Sequence, residues 1–171
     1  MIYYLCTIKL SEIENENSMG DMSKASYDAL KLQNQVCFPL YACTKELVRQ
    51  YGPYLKKLDL TYTQYIVMMV LWEMERVSSR ELAELLHLDY GTLTPVLKRL
   101  EQADYVIRQR NPQDERLLTL SLTEKGRDLK DRAVAIPPAI AGCMGLTPEE
   151  FGTLYRLAYK ALKNMESGKD K

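Results

Sequence analysis

The stretch LQNQVCFPLYAC, residues 32–43, contains the side chain best placed for chemistry, the thiol of Cys37. Pro39 has no amide hydrogen to donate, so a regular helix begins most comfortably near residue 36, which leaves Cys37 in its first turn. The positive end of the helix dipole stabilises a thiolate at that position. The stretch also allows a kinked, longer helix from near Ser26, with Cys37 in its middle and without that benefit. The first interpretation predicts a reactive thiol and the second an inert one.

Three tyrosines are candidates to support such a thiolate, because a phenol hydroxyl can donate a hydrogen bond to sulfur. Tyr41 lies one turn after Cys37 on the same helix face, and Tyr51 and Tyr62 lie at predicted helix boundaries. Tyrosines are common at helix ends, so the spacing permits this role without requiring it.

The other cysteines, Cys6, Cys43 and Cys143, are predicted to behave as small core residues, the usual role of a free cysteine. Cys37 and Cys43 cannot pair with each other, since six residues of helix separate them by about 9 Å. The chain has no C-x-x-C pair, and its single histidine, His87, has no second ligand at metal spacing. The sequence therefore predicts no metal site and no cofactor.

Length and composition favour one globular domain. The 171 residues are 46% hydrophobic, and 23 basic residues balance 23 acidic ones. With a net charge of zero, binding to nucleic acid or membrane requires a local patch.

The first ten residues, MIYYLCTIKL, have no basic region or cleavage site and are too short to span a membrane. A cytoplasmic protein with reduced thiols and no membrane partner is expected.

Residues 1–25 carry no helix or strand pattern. They are predicted to be a disordered extension, or a segment absent from the native protein if translation begins at Met19 or Met22 instead of Met1.

Two helices are predicted before the centre of the chain. The first is amphipathic and ends at Gly52-Pro53. The second begins after Thr61, which forms a capping box with Gln64, and its segment IVMMVLWEME is apolar nearly all round. That second helix is expected to be buried.

A helix-turn-helix is predicted next. Ser78 caps a short helix whose inward stripe is Leu82, Leu85 and Leu86, and Asp89-Tyr90-Gly91 breaks it. In the following helix, TLTPVLKRLEQ, the residues that face inward are Leu93, Val96, Leu97 and Leu100. The residues left for the outer face are Thr92, Thr94, Lys98, Arg99 and Gln102.

Pro95 leaves the register of this second helix open. If Asp89 is the N-cap, the proline lies beyond the first turn and removes one backbone hydrogen bond. If a threonine is the N-cap, the proline lies within the first turn and costs little.

The segments YVIRQR and LLTLSL, separated by NPQDER, predict a hairpin directly after the helix-turn-helix, which is the position of a wing. Residues 92–110 contain four basic and two acidic residues, a basic island in a neutral chain. Arg108, Arg110 and Arg116 are candidate DNA-binding residues, and Asp114 is placed to hold Arg116. Such charges are often no more than a solvated face, but their order beside the helix pair favours DNA binding.

Long apolar-striped helices follow. Thr123 caps a helix that Pro137-Pro138 interrupts, and Thr147-Pro148 begins the last one. The stripe of the last helix consists of Phe151, Leu154, Tyr155, Ala158, Ala161, Leu162 and Met165. The pattern allows equally that this stripe folds back on its own domain or is buried against a second subunit.

Three segments carry a resemblance to a known family: LQNQVCFPLYA, LDLTYTQYIVMMVLWE and LDYGTLTPVLKRLEQADYVIRQRNPQDERLLTLSLTEKG. Together they resemble the organic hydroperoxide resistance regulators of the MarR family, over roughly residues 30–165. The resemblance implies a mainly α (α+β) fold, a winged helix-turn-helix at about 61–122 with dimerisation helices at about 30–52 and 123–166. Residues 26–171 would then form a single MarR-type domain.

The resemblance also implies a homodimeric repressor, not an enzyme, that binds an inverted-repeat operator in double-stranded DNA. Organic hydroperoxides are the implied signal and Cys37 the implied sensor, oxidised to a sulfenic acid. The family's thiol-supporting tyrosines match Tyr41, Tyr51 and Tyr62. Its wing pair matches Asp114 and Arg116, and its recognition helix carries Thr92, Thr94 and Lys98.

Two routes beyond the sulfenic acid are known in such regulators: a mixed disulfide with a low-molecular-weight thiol, or a disulfide with a cysteine of the partner subunit. Cys143 lies close to where that resolving cysteine is expected, which favours the second route. The sequence departs from the family at Pro39, Thr63 and Tyr90, which puts the sensitivity and the operator sequence in doubt.

Two other functions are weighed against this one. A MarR-type repressor released by a small phenolic ligand would make Cys37 incidental. A thiol peroxidase would leave the basic helix and the wing without a use, and the sequence indicates no recycling partner for it.

Overall fold

The structure, a computed structural model, describes residues 27–111 and 114–167, without the side chains of residues 110–117. The predictions for residues 1–25 and for the side chains of Arg110, Asp114 and Arg116 lie outside the described residues. The chain divides into two compact units, residues 1–50 and 51–171, and each is described by itself. The predicted single domain over 26–171 stays a prediction.

A single 3₁₀ turn, Leu32–Asn34, precedes helix α1, Cys37–Lys56. Gln35 between them has extended backbone, with φ −99° and ψ 113°, so the longer helix from near Ser26 is wrong. The prediction of a helix start near residue 36 is confirmed. Because Pro39 falls in the first turn, its missing amide hydrogen has no helical acceptor to lose.

The end of α1 corrects a prediction. Gly52-Pro53 does not stop the helix, which continues through Pro53 to Lys56. The proline removes only one backbone bond close to the helix end, and the last turn is anchored by Leu55, which is buried. The chain then reverses at Asp59, whose φ is 54°, and the Leu60 amide bonds to the Leu55 carbonyl at 3.0 Å.

Helix α2, Tyr62–Met74, has the predicted capping box. The Gln64 amide donates to the Thr61 hydroxyl at 3.3 Å, and the Thr61 amide donates to the Gln64 side chain at 2.7 Å. Burial all round is wrong, since Met69 and Met74 are exposed.

A three-stranded antiparallel sheet supports the helices in the order β1-β3-β2. Strand β1, Arg76–Ser78, was not predicted, because three residues are too few to show an alternating pattern. The predicted hairpin is confirmed as β2, Val106–Asn111, and β3, Asp114–Leu122, both of which extend into the predicted turn NPQDER.

The predicted helix-turn-helix is formed by α3, Ser79–Leu86, and α4, Tyr90–Gln102. The break lies at His87, which has left-handed backbone at φ 51° and ψ 39°, and not at Asp89-Tyr90-Gly91. Asp89 is the N-cap of α4, so Pro95 lies beyond the first turn. Leu85, predicted to face inward, is exposed because only one narrow side of the short α3 meets the core, through Leu82 and Ala83.

The remaining helices are α5, Glu124–Ala133, α6, Ile136–Cys143, and α7, Pro148–Ser167. Thr123 caps α5 as predicted, and Pro137-Pro138 lie in the first turn of α6. Gly126 of α5 lies so close to the Tyr105 carbonyl that a β-carbon would collide with it. The Trp72 indole donates to the Gly126 carbonyl at 2.8 Å, which fixes α5 against α2.

The core of the second unit lies between α2, α3, α4 and the sheet. Its most completely buried side chains are Val67, Met68, Leu71, Val77, Leu82, Leu93, Leu100 and Leu120. This core leaves one side of α4 and the hairpin turned to solvent.

Candidate nucleic-acid interface and thiol site

Helix α4 has two chemically different sides. Leu93, Leu97 and Leu100 are at most 3% exposed and fix the helix to the core. The predicted DNA-binding residues of this helix, Thr92, Thr94, Lys98 and Arg99, are all exposed. The helix therefore presents hydroxyl and basic groups on a surface that its leucines hold in place.

Asp89 fixes the start of this helix. Its carboxylate accepts from the Thr92 amide at 2.8 Å and from the Thr92 hydroxyl at 2.7 Å. Both bonds lower the pKa of Asp89 below its ordinary value, and the bond from the Thr92 hydroxyl contributes more than the bond from the Thr92 amide. Since the Thr92 hydroxyl donates its hydrogen to Asp89, only its lone pairs are available to a ligand.

The hairpin places its first arginine differently from the prediction. Arg108 faces α4, and its guanidinium Nη1 donates to Glu101 Oε2 at 3.2 Å. Its side chain is 23% exposed, and its Nε atom is buried without a hydrogen-bond partner. A DNA contact for Arg108 stays a prediction, and the structure gives it an intramolecular partner.

Cys37 is the first residue of α1, in the first unit. It is a free, exposed thiol, and Tyr41 is exposed as well. Among the described residues, no hydrogen bond joins these two side chains. Tyr51 and Tyr62 belong to the second unit.

In the second unit, three tyrosine rings pack together. The centroid of the Tyr51 ring lies 4.9 Å from that of Tyr62 and 5.8 Å from that of Tyr65. Burial, with the neighbouring phenols, raises the pKa of Tyr51 to about 12, and burial also raises the pKa of Tyr62 and of Tyr65. All three phenols therefore keep their protons at neutral pH, and a protonated phenol is able to donate a hydrogen bond.

The sequence interpretation missed Tyr65, although it lies three residues after Tyr62 on the same face of α2. It is 2% exposed and also packs against Trp72, at 6.1 Å between centroids. The i, i+3 spacing of two tyrosines was the available signal.

The other cysteines do not fill the core. Cys43 and Cys143 are both exposed, so the prediction that they are buried is wrong. Cys143 is the last residue of α6, and its sulfur donates to the Ala139 carbonyl at 3.3 Å. Cys6 lies outside the described residues.

The apolar stripe of α7 is not covered by the described residues of the second unit. Helix α7 has no buried residue, and Phe151, Leu154, Tyr155 and Met165 are all exposed. The alternative in which this stripe folds back on its own domain is therefore wrong for the described structure, and an uncovered stripe of this size marks an interaction surface.

Within residues 27–111 and 114–167, no cluster of three or more potential metal ligands occurs. No helix in the same part of the chain is long and apolar enough to cross a membrane.

Comparison with known proteins gives one consistent result. Residues 49–133 match the family model of the transcriptional regulators SarA/Rot. The organic hydroperoxide resistance transcriptional regulator of Bacillus subtilis is 44% identical over 139 residues, which cover 81% of this chain and 95% of the relative. The HTH-type transcriptional regulator SarZ of Staphylococcus epidermidis is 44% identical over 119 residues, 70% of this chain and 80% of the relative.

Among solved structures, the reduced form of the regulator AbfR bound to DNA superposes with a TM-score of 0.67 at 33% identity. The superposition covers 82% of this chain and 98% of the AbfR chain. The winged helix-turn-helix, the cysteine at the start of α1 and the extent of these matches lead to one conclusion: the chain belongs to the organic hydroperoxide resistance regulators of the MarR family.

Proposed function

We propose that this protein is a homodimeric transcriptional repressor of the cytoplasm. It binds an inverted-repeat operator in double-stranded DNA and leaves it when an organic hydroperoxide oxidises Cys37. The observation that carries the proposal is the division of α4 into a buried leucine side and an exposed side with Thr92, Thr94, Lys98 and Arg99. Its relatives are transcriptional regulators, and no enzymatic turnover is proposed.

DNA binding uses the exposed side of α4 in the major groove. Neither Lys98 nor Arg99 forms an ion pair with another described residue, so both charges are available to phosphates or base edges. The hairpin follows directly and carries Arg110, Asp114 and Arg116 toward the adjacent minor groove or phosphates. The basic island thus supplies locally what a net charge of zero does not.

Dimerisation explains the uncovered stripe of α7. Burying Phe151, Leu154 and Tyr155 against a second copy removes apolar surface from water, which favours association. A two-fold axis then sets two α4 helices side by side, which is why an inverted repeat is the expected operator.

The sensor step is oxidation of the Cys37 thiolate. Its sulfur attacks the terminal oxygen of the hydroperoxide and the O–O bond breaks, which leaves a sulfenic acid that keeps the hydroperoxide proton. The alkoxide that departs takes up the proton that the thiol released on ionisation and becomes the alcohol. A second thiol then displaces water from the sulfenic acid to give a disulfide. That thiol is Cys143 of the partner subunit or, in the one-cysteine route, a small cellular thiol.

The tyrosines are proposed to support the thiolate and to read its oxidation. Tyr41 lies one turn from Cys37, and in the dimer Tyr51 and Tyr62 would donate from a tyrosine cluster whose phenols stay protonated. A bulkier, oxidised sulfur displaces these hydroxyl donors. Helices α1 and α2 transmit the displacement to α4 and the hairpin of each subunit.

Gel-shift titration on the DNA upstream of the protein's own gene tests the DNA-binding part. Specific binding should be tighter than to unrelated DNA, and Lys98→Ala should reduce the slope of log affinity against log salt by about 1. Lys163→Ala on α7 removes an equal charge away from the reading surface and should leave the slope unchanged. Equal affinity for operator and unrelated DNA would overturn the proposal.

The two rival functions give different results in simple assays. A repressor released by a phenolic ligand predicts that Cys37→Ser leaves induction intact. A thiol peroxidase predicts repeated consumption of hydroperoxide with a dithiol reductant.

A further inference from the structure

Arg108 occupies an unusual place for an arginine in a DNA-binding hairpin. The sheet register puts Val77, Leu120 and Arg108 in one row across β1, β3 and β2, so the three side chains share one face. Val77 and Leu120 are buried, which identifies that face as the one turned to the core. On the opposite face of β2, Ile107 and Gln109 are exposed. Arg108 therefore points inward.

The guanidinium ends against the recognition helix. It bonds to Glu101, in the last turn of α4, while its Nε is buried without a partner. An arginine free to bind a phosphate would keep all its donors exposed to water, because an unpaired buried donor destabilises the fold. The Arg108 side chain is instead held between β2 and α4, with its Nε buried.

The bond from Arg108 to Glu101 joins α4 directly to β2. At the base of the hairpin, the segment after α4 is bound by the start of α5, where the Thr123 hydroxyl donates to the Asp104 carbonyl and the Lys125 amine donates to the Ala103 carbonyl, each at 2.7 Å. Arg108 is the third residue of β2, about 10 Å along the chain from Tyr105, which precedes the strand. The pairing of β3 with β1 at Val77 and Ser78 holds the sheet at this level, and the bond from Arg108 to Glu101 ties the same level of β2 to α4.

We infer that Arg108 is a positioning residue, which through Glu101 locks the wing at a fixed angle to the recognition helix and so lets both meet the operator together. This inference rests on the proposed function, and it differs from a direct contact between Arg108 and DNA. Glu101 becomes a functional residue as well, although its charge is repulsive to DNA.

The sign of the Glu101→Gln effect separates the two roles. If Glu101 only repels phosphates, its neutralisation strengthens operator binding. If Glu101 holds Arg108, the same change weakens binding. We expect Arg108→Gln and Glu101→Gln each to weaken operator affinity about fivefold with an unchanged salt slope, and the double variant to be no weaker than either single one. Arg108→Lys, which keeps the charge and one bond to Glu101, should recover part of the loss.

Hydrogen exchange in the absence of DNA gives a readout that does not depend on the operator. The amides of residues 106–109 should exchange faster in both single variants, by the same factor, and no faster in the double variant. Lys98→Gln, the control, should leave this exchange unchanged. If Arg108→Gln does not fold, Glu101→Gln alone decides, since that side chain is 44% exposed and its change keeps the size of the residue.

The inference is overturned if Glu101→Gln tightens operator binding, if Arg108→Gln lowers the salt slope by about 1 as a phosphate contact would, or if exchange at residues 106–109 stays at the wild-type rate. A wild-type protein that does not prefer its operator would instead overturn the proposed function, and the exchange measurement would still decide the role of Arg108.

Discussion

The ring of Tyr51 in α1 lies edge-on against the ring of Tyr62 in α2, with 4.9 Å between the centroids and 60° between the planes. Tyr65 adds a third ring, and together they exclude enough water to disfavour the phenolate. The three phenols therefore stay neutral, and their support of the Cys37 thiol stays a prediction.

The free energy of unfolding should fall at high pH, where the Tyr51 phenol ionises. Its folded pKa is about 12, against an ordinary value of 10.0, so the folded state holds the proton more tightly. The stability that depends on this difference is fully present below pH 10 and is lost as the pH rises from 10 to 12. In denaturant titrations across this range, Tyr51→Phe should show a shallower fall than wild type. Identical curves would contradict this assignment.

The Asp89 cap should stabilise the first turn of α4. Asp89→Ala removes both bonds to Thr92, so the first turn of α4 frays and the midpoint of thermal unfolding drops by a few degrees. Asp89→Asn keeps an acceptor for the Thr92 amide and should retain most of the stability. If both variants melt with wild type, the cap is not what holds this turn.

Gly126 should tolerate no side chain. A β-carbon there meets the Tyr105 carbonyl, which is backbone and cannot turn aside, so Gly126→Ala should destabilise by about 3 kcal/mol. Gly142→Ala in α6 is the matched control, because a β-carbon there meets nothing within 4 Å. Chemical denaturation of both variants checks the contrast, and an equal effect would show that the close approach is not rigid.

Oxidised protein should contain a disulfide between subunits. After stoichiometric cumene hydroperoxide, non-reducing electrophoresis should show a dimer band for wild type and for Cys43→Ser, and none for Cys143→Ser. A monomer band for wild type, together with the mass of a small-thiol adduct on Cys37, would establish the one-cysteine route instead.

Local signals accounted for much of the fold. The capping box of Thr61 with Gln64 depends on residues three apart and is formed as predicted, and the last helix begins at Pro148, directly after Thr147, as predicted. The leucines of α4 likewise follow from helical spacing alone. Such features involve one element or its border, which is why a single sequence suffices to find them.

The errors come from tertiary context. Gly52-Pro53 predicted the end of α1, but the helix continues to Lys56, because the burial of Leu55 stabilises its last turn. The inward direction of Arg108 was hidden because Val106 and Ile107 are both apolar, so the alternation of β2 could not be assigned to a face without its pairing to Leu120 and Leu122. Packing and strand register depend on contacts between elements. The periodicity of one segment carries no information about those contacts.

The central claim is that oxidation of Cys37 releases the protein from its operator, and a gel shift with and without organic hydroperoxide tests it most directly. Wild type and Cys43→Ser should lose the shifted band after oxidant and regain it with a dithiol, whereas Cys37→Ser should stay bound throughout. Wild type that stays bound in oxidant, or Cys37→Ser that is released as readily as wild type, would contradict it.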